Sequence, residues 1–221
     1  MAFMNKKILN VNIMIWLSFI LLSTLFIIFP DIDIYVSSLF YKNAFILKGS
    51  LFEKFFYKSV PIIITLFATT SILVFIYNLI NKKNIFGINK RVIIYIILVL
   101  SLAPGVIVNS VLKEHWGRAR PTQIVKFGGD KKFTPAFIIS NQNGNSFSCG
   151  HGAAAFSLLG FALLAHKRKK LWLTLSLLYG VLVSFARIIG GGHFLSDTVT
   201  SFFIVYISTY ILYYYIIKKK T

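Results

Sequence analysis

The chain reads as all-α and polytopic, with six transmembrane helices and its unusual polar residues gathered at the outer membrane interface. Three observations carry this reading. Of 221 residues, 57% are hydrophobic and 16% aromatic, with a mean hydropathy of +0.75, which is too apolar for a soluble domain and long enough for several crossings. Six apolar runs meet or approach the ~20 residues that cross ~30 Å of hydrocarbon. The basic residues fall into short clusters between alternate runs.

In chain order, the first span covers approximately 8–29 after Lys6 and Lys7; with no small-residue cleavage site before Pro30 it reads as retained rather than as a removed signal peptide. Segment 30–58 mixes Phe, Tyr, Leu and Ile with scattered Lys and Asp, which suits an amphipathic piece lying in the interface and equally a structural linker. The second span covers 59–80 and the third 92–112, where Pro104-Gly105 predicts a kink whose freed backbone groups are satisfied by neighbouring helices. The fourth, 149–166, is the weakest: its apolar part is short and it carries Ser157 and His166, which a span facing other helices tolerates. Spans 171–189 and 194–217 follow, the last ending in Tyr213, Tyr214 and Tyr215 as an interfacial aromatic belt. No repeat or second domain is visible, so residues 1–221 form one transmembrane domain.

A formal charge of +18 would suggest a nucleic-acid partner in a soluble protein. Here the basic clusters (Lys6-Lys7; Lys82, Lys83, Lys90 and Arg91; Lys167 to Lys170; Lys218 to Lys220) share one face, so they set topology in a lipid bilayer, not nucleic-acid binding. The positive-inside rule makes that face cytoplasmic, with both termini on it. All six acidic residues, Asp31, Asp33, Glu53, Glu114, Asp130 and Asp197, fall on the other side. The single cysteine, Cys149, excludes an intrachain disulfide and a cysteine metal site.

Three stretches on the outer side carry candidate chemistry. Arg187 to Asp197 concentrates an arginine, three glycines, His193 and Asp197 between two apolar runs. If the chain is helical from Phe194, His193 and Asp197 are i,i+4 neighbours and the carboxylate orients the ring. Arg187 supplies a planar fork for an anion. The same residues also fit a glycine turn with charges reaching to the membrane surface. Lys113 and Arg120 are seven apart, so on a continuing helix they share a face; anchoring the end of the third span is the alternative. Ser148-Cys149-Gly150-His151 opens the fourth span, where free backbone N–H groups at Cys149 and Gly150 suit an anion beside His151.

Taken together, Lys113-x6-Arg120-Pro121, Ser148-Cys149-Gly150-His151 and Arg187-x5-His193-x3-Asp197 resemble the type 2 phosphatidic acid phosphatase superfamily of membrane phosphatases over roughly residues 30–217. Within it, the surroundings Ala103-Pro104-Gly105, His115-Trp116-Gly117-Arg118 and Gly191-Gly192-His193-Phe194 are most similar to bacterial lipid A phosphatases, the 4′ enzymes in particular. The resemblance implies a lipid phosphatase without a metal or other cofactor, its catalytic site facing the periplasm from the bacterial inner membrane. It implies His193 as nucleophile forming a phosphohistidine, Asp197 as its orienting carboxylate and His151 as general acid and base. Lys113, Arg120, Arg187 and the backbone at Cys149 and Gly150 then hold the phosphate. Undecaprenyl pyrophosphate and phosphatidylglycerol phosphate phosphatases share every one of these residues, and a non-catalytic protein that binds anionic lipids needs the cations alone. Two positions depart from the family pattern: Ser148 and Cys149 stand where Pro-Ser is usual, and Ala186 where a serine commonly precedes the arginine.

Overall fold

The computed structural model describes residues 6–219; Lys220 of the last basic cluster lies outside them. A small hairpin, Lys7–Ile8 with Val11–Asn12, leads into α1, Ile13–Ile28, whose start is capped by the Asn12 side chain accepting from Met14 N at 2.8 Å. Pro30 follows directly, and α2, Asp31–Ser38, leaves at 84° to α1. Proline has no N–H with which to continue the helical bonding across the junction.

The segment expected to be one interfacial piece or linker is instead three. They are α2, a tight hairpin (Tyr41–Lys42 with Ala44–Phe45) and the first turns of α3, Leu51–Ile80. The Ser50 hydroxyl accepts from Glu53 N at 3.2 Å and starts α3 eight residues earlier than apolarity alone suggested. At 30 residues α3 is ~45 Å long, enough to carry Glu53 and Tyr57 beyond the hydrocarbon.

Next comes α4, Lys90–Ser101, capped by Asn89, which continues as wider π turns over Leu102–Lys113. The predicted disturbance at Pro104 takes that form: the Asn109 side chain donates to the Pro104 carbonyl at 2.7 Å and satisfies an oxygen the normal bonding pattern leaves free. Helices α5, Gly150–Phe156, and α6, Leu158–Leu164, meet at Ser157, and α7 covers Lys169–Ile189. The last, α8, Leu195–Leu212, ends in π turns over Tyr213–Lys218.

All six predicted spans are thus largely helical, but four pass as full crossings by length and apolarity: α3, α4 with its π extension, α7, and α8 with its extension. The bent α1–α2 pair makes a fifth, whereas α5–α6 is only 15 residues long and broken. Its first half, Gly-His-Gly-Ala-Ala-Ala-Phe, explains the shortfall. Small residues there let α7, α8 and the 102–113 segment pack closely around α5. A Cβ on Gly180 of α7 would lie 2.2 Å from the Phe156 ring, so glycine is required for that approach. The broken helix is therefore the axis of the bundle, and α3 is its lipid-facing wall, with Leu66, Leu73 and Ile80 more than half exposed.

Candidate functional site

The loop from Glu114 to Cys149 closes over one end of the bundle. Lys113 and Arg120 do not share a continuing helix, because the helical turns stop at His115 and Gly117 turns the chain at φ +66°. A Cβ there would strike the Ser140 carbonyl at 1.8 Å, so only glycine fits. Beyond it Arg118 points inward and Arg120 is extended.

Arg118 is fully buried and joins two helices that are distant in sequence. One guanidinium nitrogen donates to Asp197 Oδ1 and to Ser196 Oγ, another to Asp33 Oδ2 at 2.8 Å, and Nε to the Thr134 carbonyl at 2.8 Å. Its face lies 4.4 Å from the Phe194 ring centroid. Burial opposes the charge, but Asp197 and Asp33 outweigh it and raise the Arg118 pKa further. Asp33 also accepts from the Ser196 backbone at 2.9 Å, which ties α2 to the start of α8.

Asp197 stands in the first turn of α8, and Phe194, expected to be helical, is the extended residue before it. Its Oδ2 accepts from Phe194 N at 2.8 Å and from Ser146 Oγ at 2.6 Å. His193 Nδ1 lies 3.7 Å from that oxygen, and its hydrogen-bond partner is the Ser146 carbonyl at 2.7 Å. A carbonyl only accepts, so Nδ1 carries the proton and Nε2 of the neutral ring keeps its lone pair. Ser146 is thus the direct orienting group, with Asp197 behind it. Burial opposes a charge on His193, but Cys149 and Asp197 beside it raise its pKa above the ordinary value.

In front of this unit the cations gather. Arg187 donates to Glu53 at 3.2 Å and lies 4.8 Å from the Tyr57 ring, while its buried Nε has no hydrogen-bond partner among the described residues. The Arg187 guanidinium occupies the space where a Gly192 side chain would begin, 2.3 Å from an added Cβ. His151, in the first turn of α5, stacks on Tyr57 at 4.2 Å between ring centroids, and Lys113, Arg120, Arg187 and His193 all lie within its electrostatic reach. No hydrogen bond or ion pair engages the Lys113 ammonium or the Arg120 guanidinium among the described residues. Burial, and then repulsion from Arg187, lower the Arg120 pKa, a strain that a bound anion would relieve. The Cys149 thiol caps α5 by accepting from Gly152 N at 3.3 Å, and Gly150 passes so close to Asn109 that a Cβ would lie 2.5 Å from its Oδ1.

The structure therefore brings His193, Asp197, His151, Lys113, Arg120, Arg187, Cys149 and Gly150 to one end of the bundle. It adds Arg118, Asp33, Ser146, Glu53 and Tyr57, which motif spacing did not single out. Among the described residues no group of three or more His, Cys, Asp or Glu side chains is placed to hold a metal ion.

The family described as the PAP2 superfamily matches residues 94–221. The chain is 37% identical over 209 residues to a lipid A 4′-phosphatase of Francisella tularensis subsp. novicida, an alignment covering 88% of this chain and 90% of that protein. It is 36% identical over 103 residues to a lipid A 4′-phosphatase of Rhizobium leguminosarum, covering 45% of this chain and 44% of the relative. No solved structure matches the chain.

Proposed function

The chain belongs to the PAP2 superfamily, and on that premise we propose that it is a lipid phosphatase that hydrolyses a phosphomonoester of lipid A, the 4′ phosphate in preference to the 1 phosphate. One observation carries the reading: His193 has Nδ1 committed to the Ser146 carbonyl and so offers Nε2, in a site whose cations Lys113 and Arg120 no hydrogen bond or ion pair engages among the described residues. A basic pocket alone would serve a binding protein. A tautomer-fixed, buried imidazole at its wall serves a nucleophile.

In the proposed sequence, Lys113, Arg120 and Arg187 hold the phosphate oxygens, with the Gly150 N–H at the start of α5 adding to them, whereas the Cys149 N–H donates to the Asp197 carbonyl at 3.4 Å. The His193 Nε2 lone pair forms a bond to phosphorus while the bond from phosphorus to the sugar oxygen breaks, and His151 gives that oxygen a proton. Water then attacks the phosphohistidine, giving its proton to His151, and phosphate leaves. As positive charge develops on His193, the Ser146 carbonyl and the Asp197 carboxylate stabilise it. Tyr57, stacked on His151 and beneath Arg187, fixes both groups in one place.

Placement supports a lipid substrate. The site lies at the end of the bundle away from the basic clusters, which by the positive-inside rule is the periplasmic end of a multi-pass protein in the bacterial inner membrane. A cavity of about 400 Å³ lined by Leu22, Val181, Phe185, Leu195 and Phe202 reaches toward that end and suits an acyl chain.

Purified protein offered lipid A, undecaprenyl pyrophosphate and phosphatidic acid, with phosphate release measured, tests the reading. Lipid A should lose its 4′ phosphate fastest. His193→Ala should abolish release while lipid binding persists; His151→Ala should retain a rate lower by roughly 10² to 10⁴-fold. Near-normal turnover by His193→Ala would remove the proposed mechanism, and a wild type inert on all three lipids would leave a binding protein.

A further inference from the structure

The short α5–α6 helix leaves a void at the opposite end of the bundle. Fifteen residues rise ~22 Å, against the ~30 Å of hydrocarbon, so the chain turns at Ala165 before it has crossed. Below that turn lies a cavity of about 1060 Å³, between α3, the loop before α4, the end of α6, the start of α7 and the last turns of the chain. Its polar rim is His166, Lys167, Lys169, Asn84 and Asn89. Lys169 is held there, its ammonium 3.1 Å from the Tyr213 hydroxyl and 4.7 Å from the ring centroid. Among the described residues the rim contains no carboxylate side chain, and every Asp and Glu of the chain sits toward the other end.

The cavity also continues into the membrane. Phe67, Phe161, Ala165 and Trp172 line both it and a second, almost wholly apolar space of about 310 Å³ that runs along α7 to Leu175 and Tyr179. A cationic vestibule at headgroup depth opening into an apolar channel at acyl depth matches one class of ligand. A basic pocket between transmembrane helices selects an anionic headgroup, and the channel takes the chain attached to it.

We propose that this cavity is a binding site for an anionic phospholipid of the leaflet on the basic side, separate from the catalytic pocket at the other end. The phosphate sits among His166, Lys167 and Lys169 and accepts hydrogen bonds from Asn84 or Asn89; an acyl chain fills the space beside Trp172. The lipid completes the span that α6 leaves unfinished, so it stabilises the bundle without touching substrate. Little of the binding comes from the hydrophobic effect, because the chain exchanges one apolar medium for another. Charge and fit therefore set the selectivity.

The test is thermal unfolding of the full-length protein in detergent micelles doped with phosphatidylglycerol or with phosphatidylcholine, with the bound lipid counted by native mass spectrometry. Phosphatidylglycerol should raise Tm and remain bound; phosphatidylcholine should do neither. The double variant His166→Gln/Lys167→Gln should weaken phosphatidylglycerol binding by roughly fivefold, at about 1 kcal/mol for the one lysine charge removed near a membrane surface. Ala165→Phe, which blocks the channel and leaves the charges, should lower occupancy as well. Lys82→Gln/Lys83→Gln, exposed lysines on the same face outside the cavity, should change nothing. Equal loss in the cavity and control variants would mean diffuse attraction to a basic surface and would overturn the site, as would equal stabilisation by both lipids. Phosphate release should stay within about twofold of wild type in all three variants under saturating phosphatidylglycerol; its loss there would place these residues in the catalytic machinery instead.

Discussion

Replacing Arg118 by methionine keeps the unbranched apolar stem of the side chain and removes the guanidinium with its charge. Both of its carboxylate partners are essentially without solvent exposure, as is Arg118 itself. Among the described residues Asp33 then retains only Ser196, and Asp197 retains Ser146 and Phe194 N. Breaking a buried pair by deleting one partner costs about 3–5 kcal/mol, because the remaining charge stays buried uncompensated. Two carboxylates are stranded here, so the upper part of that range applies unless one takes up a proton. Set against the ~5–15 kcal/mol of a typical domain, this should lower Tm by many degrees in detergent. Any folded fraction should have reduced kcat, since Asp197 no longer has its strongest donor. Arg118→Lys should recover little, because a single ammonium cannot reach Asp33, Asp197 and the Thr134 carbonyl in the fixed geometry of the guanidinium. Adding Asp33→Asn to Arg118→Met should cost less than the sum of the two single changes, the mark of a direct pair. A stability loss below ~1 kcal/mol for Arg118→Met, the level of an exposed ion pair, would refute the view that this cluster fastens α2 and the loop to α8.

Cys149→Ser should remain active and gain a few tenths to ~1 kcal/mol of stability, because serine is a better cap for α5 than a thiol that already accepts from Gly152 N; a folded but inactive variant would assign the thiol a chemical role. Gly192→Ala should fold yet raise KM for the lipid, since its methyl group displaces the tip of Arg187, a flexible group, and not backbone; unchanged KM would mean that Arg187 does not hold the phosphate. In a pH profile of kcat/KM the acidic limb should lie above the ordinary histidine value near 6.5, because the pKa of His193 is raised and a protonated ring has no lone pair with which to attack. Activity is then lost as pH falls through that raised value, and an acidic limb below 6 would contradict the assignment.

How far the site was legible in the sequence follows from where its parts lie. His193 and Asp197 sit within four residues, and Lys113 and Arg120 within seven, so spacing alone groups them. The residues that hold them come from elsewhere: Asp33 meets Arg118 across 85 positions and Glu53 meets Arg187 across 134. No periodicity reports contacts at such separations. One signal was present, in the restriction of every acidic residue to one side, since an acid close to apolar helices implies a buried partner. The helix count was less legible for a related reason. Apart from His151, residues 150–155 are small because neighbours crowd them, so the helix at the centre of the bundle looks the least like a span.

The division of charge at the site gives these distant contacts a common purpose. Behind His193, two carboxylates face one guanidinium, an arrangement that would favour the positive ring of the proposed phosphohistidine mechanism. In front, Lys113, Arg120 and Arg187 gather with one carboxylate ion pair among the described residues, Arg187 with Glu53, leaving a net positive charge that favours a dianion. Were Arg118 to turn into the front pocket, it would strengthen anion binding but leave Asp33 and Asp197 unpaired and their repulsion unopposed. Its burial between them keeps the field directed from the cationic pocket to the back of the imidazole, the direction in which the proposed phosphoryl transfer to His193 would displace charge.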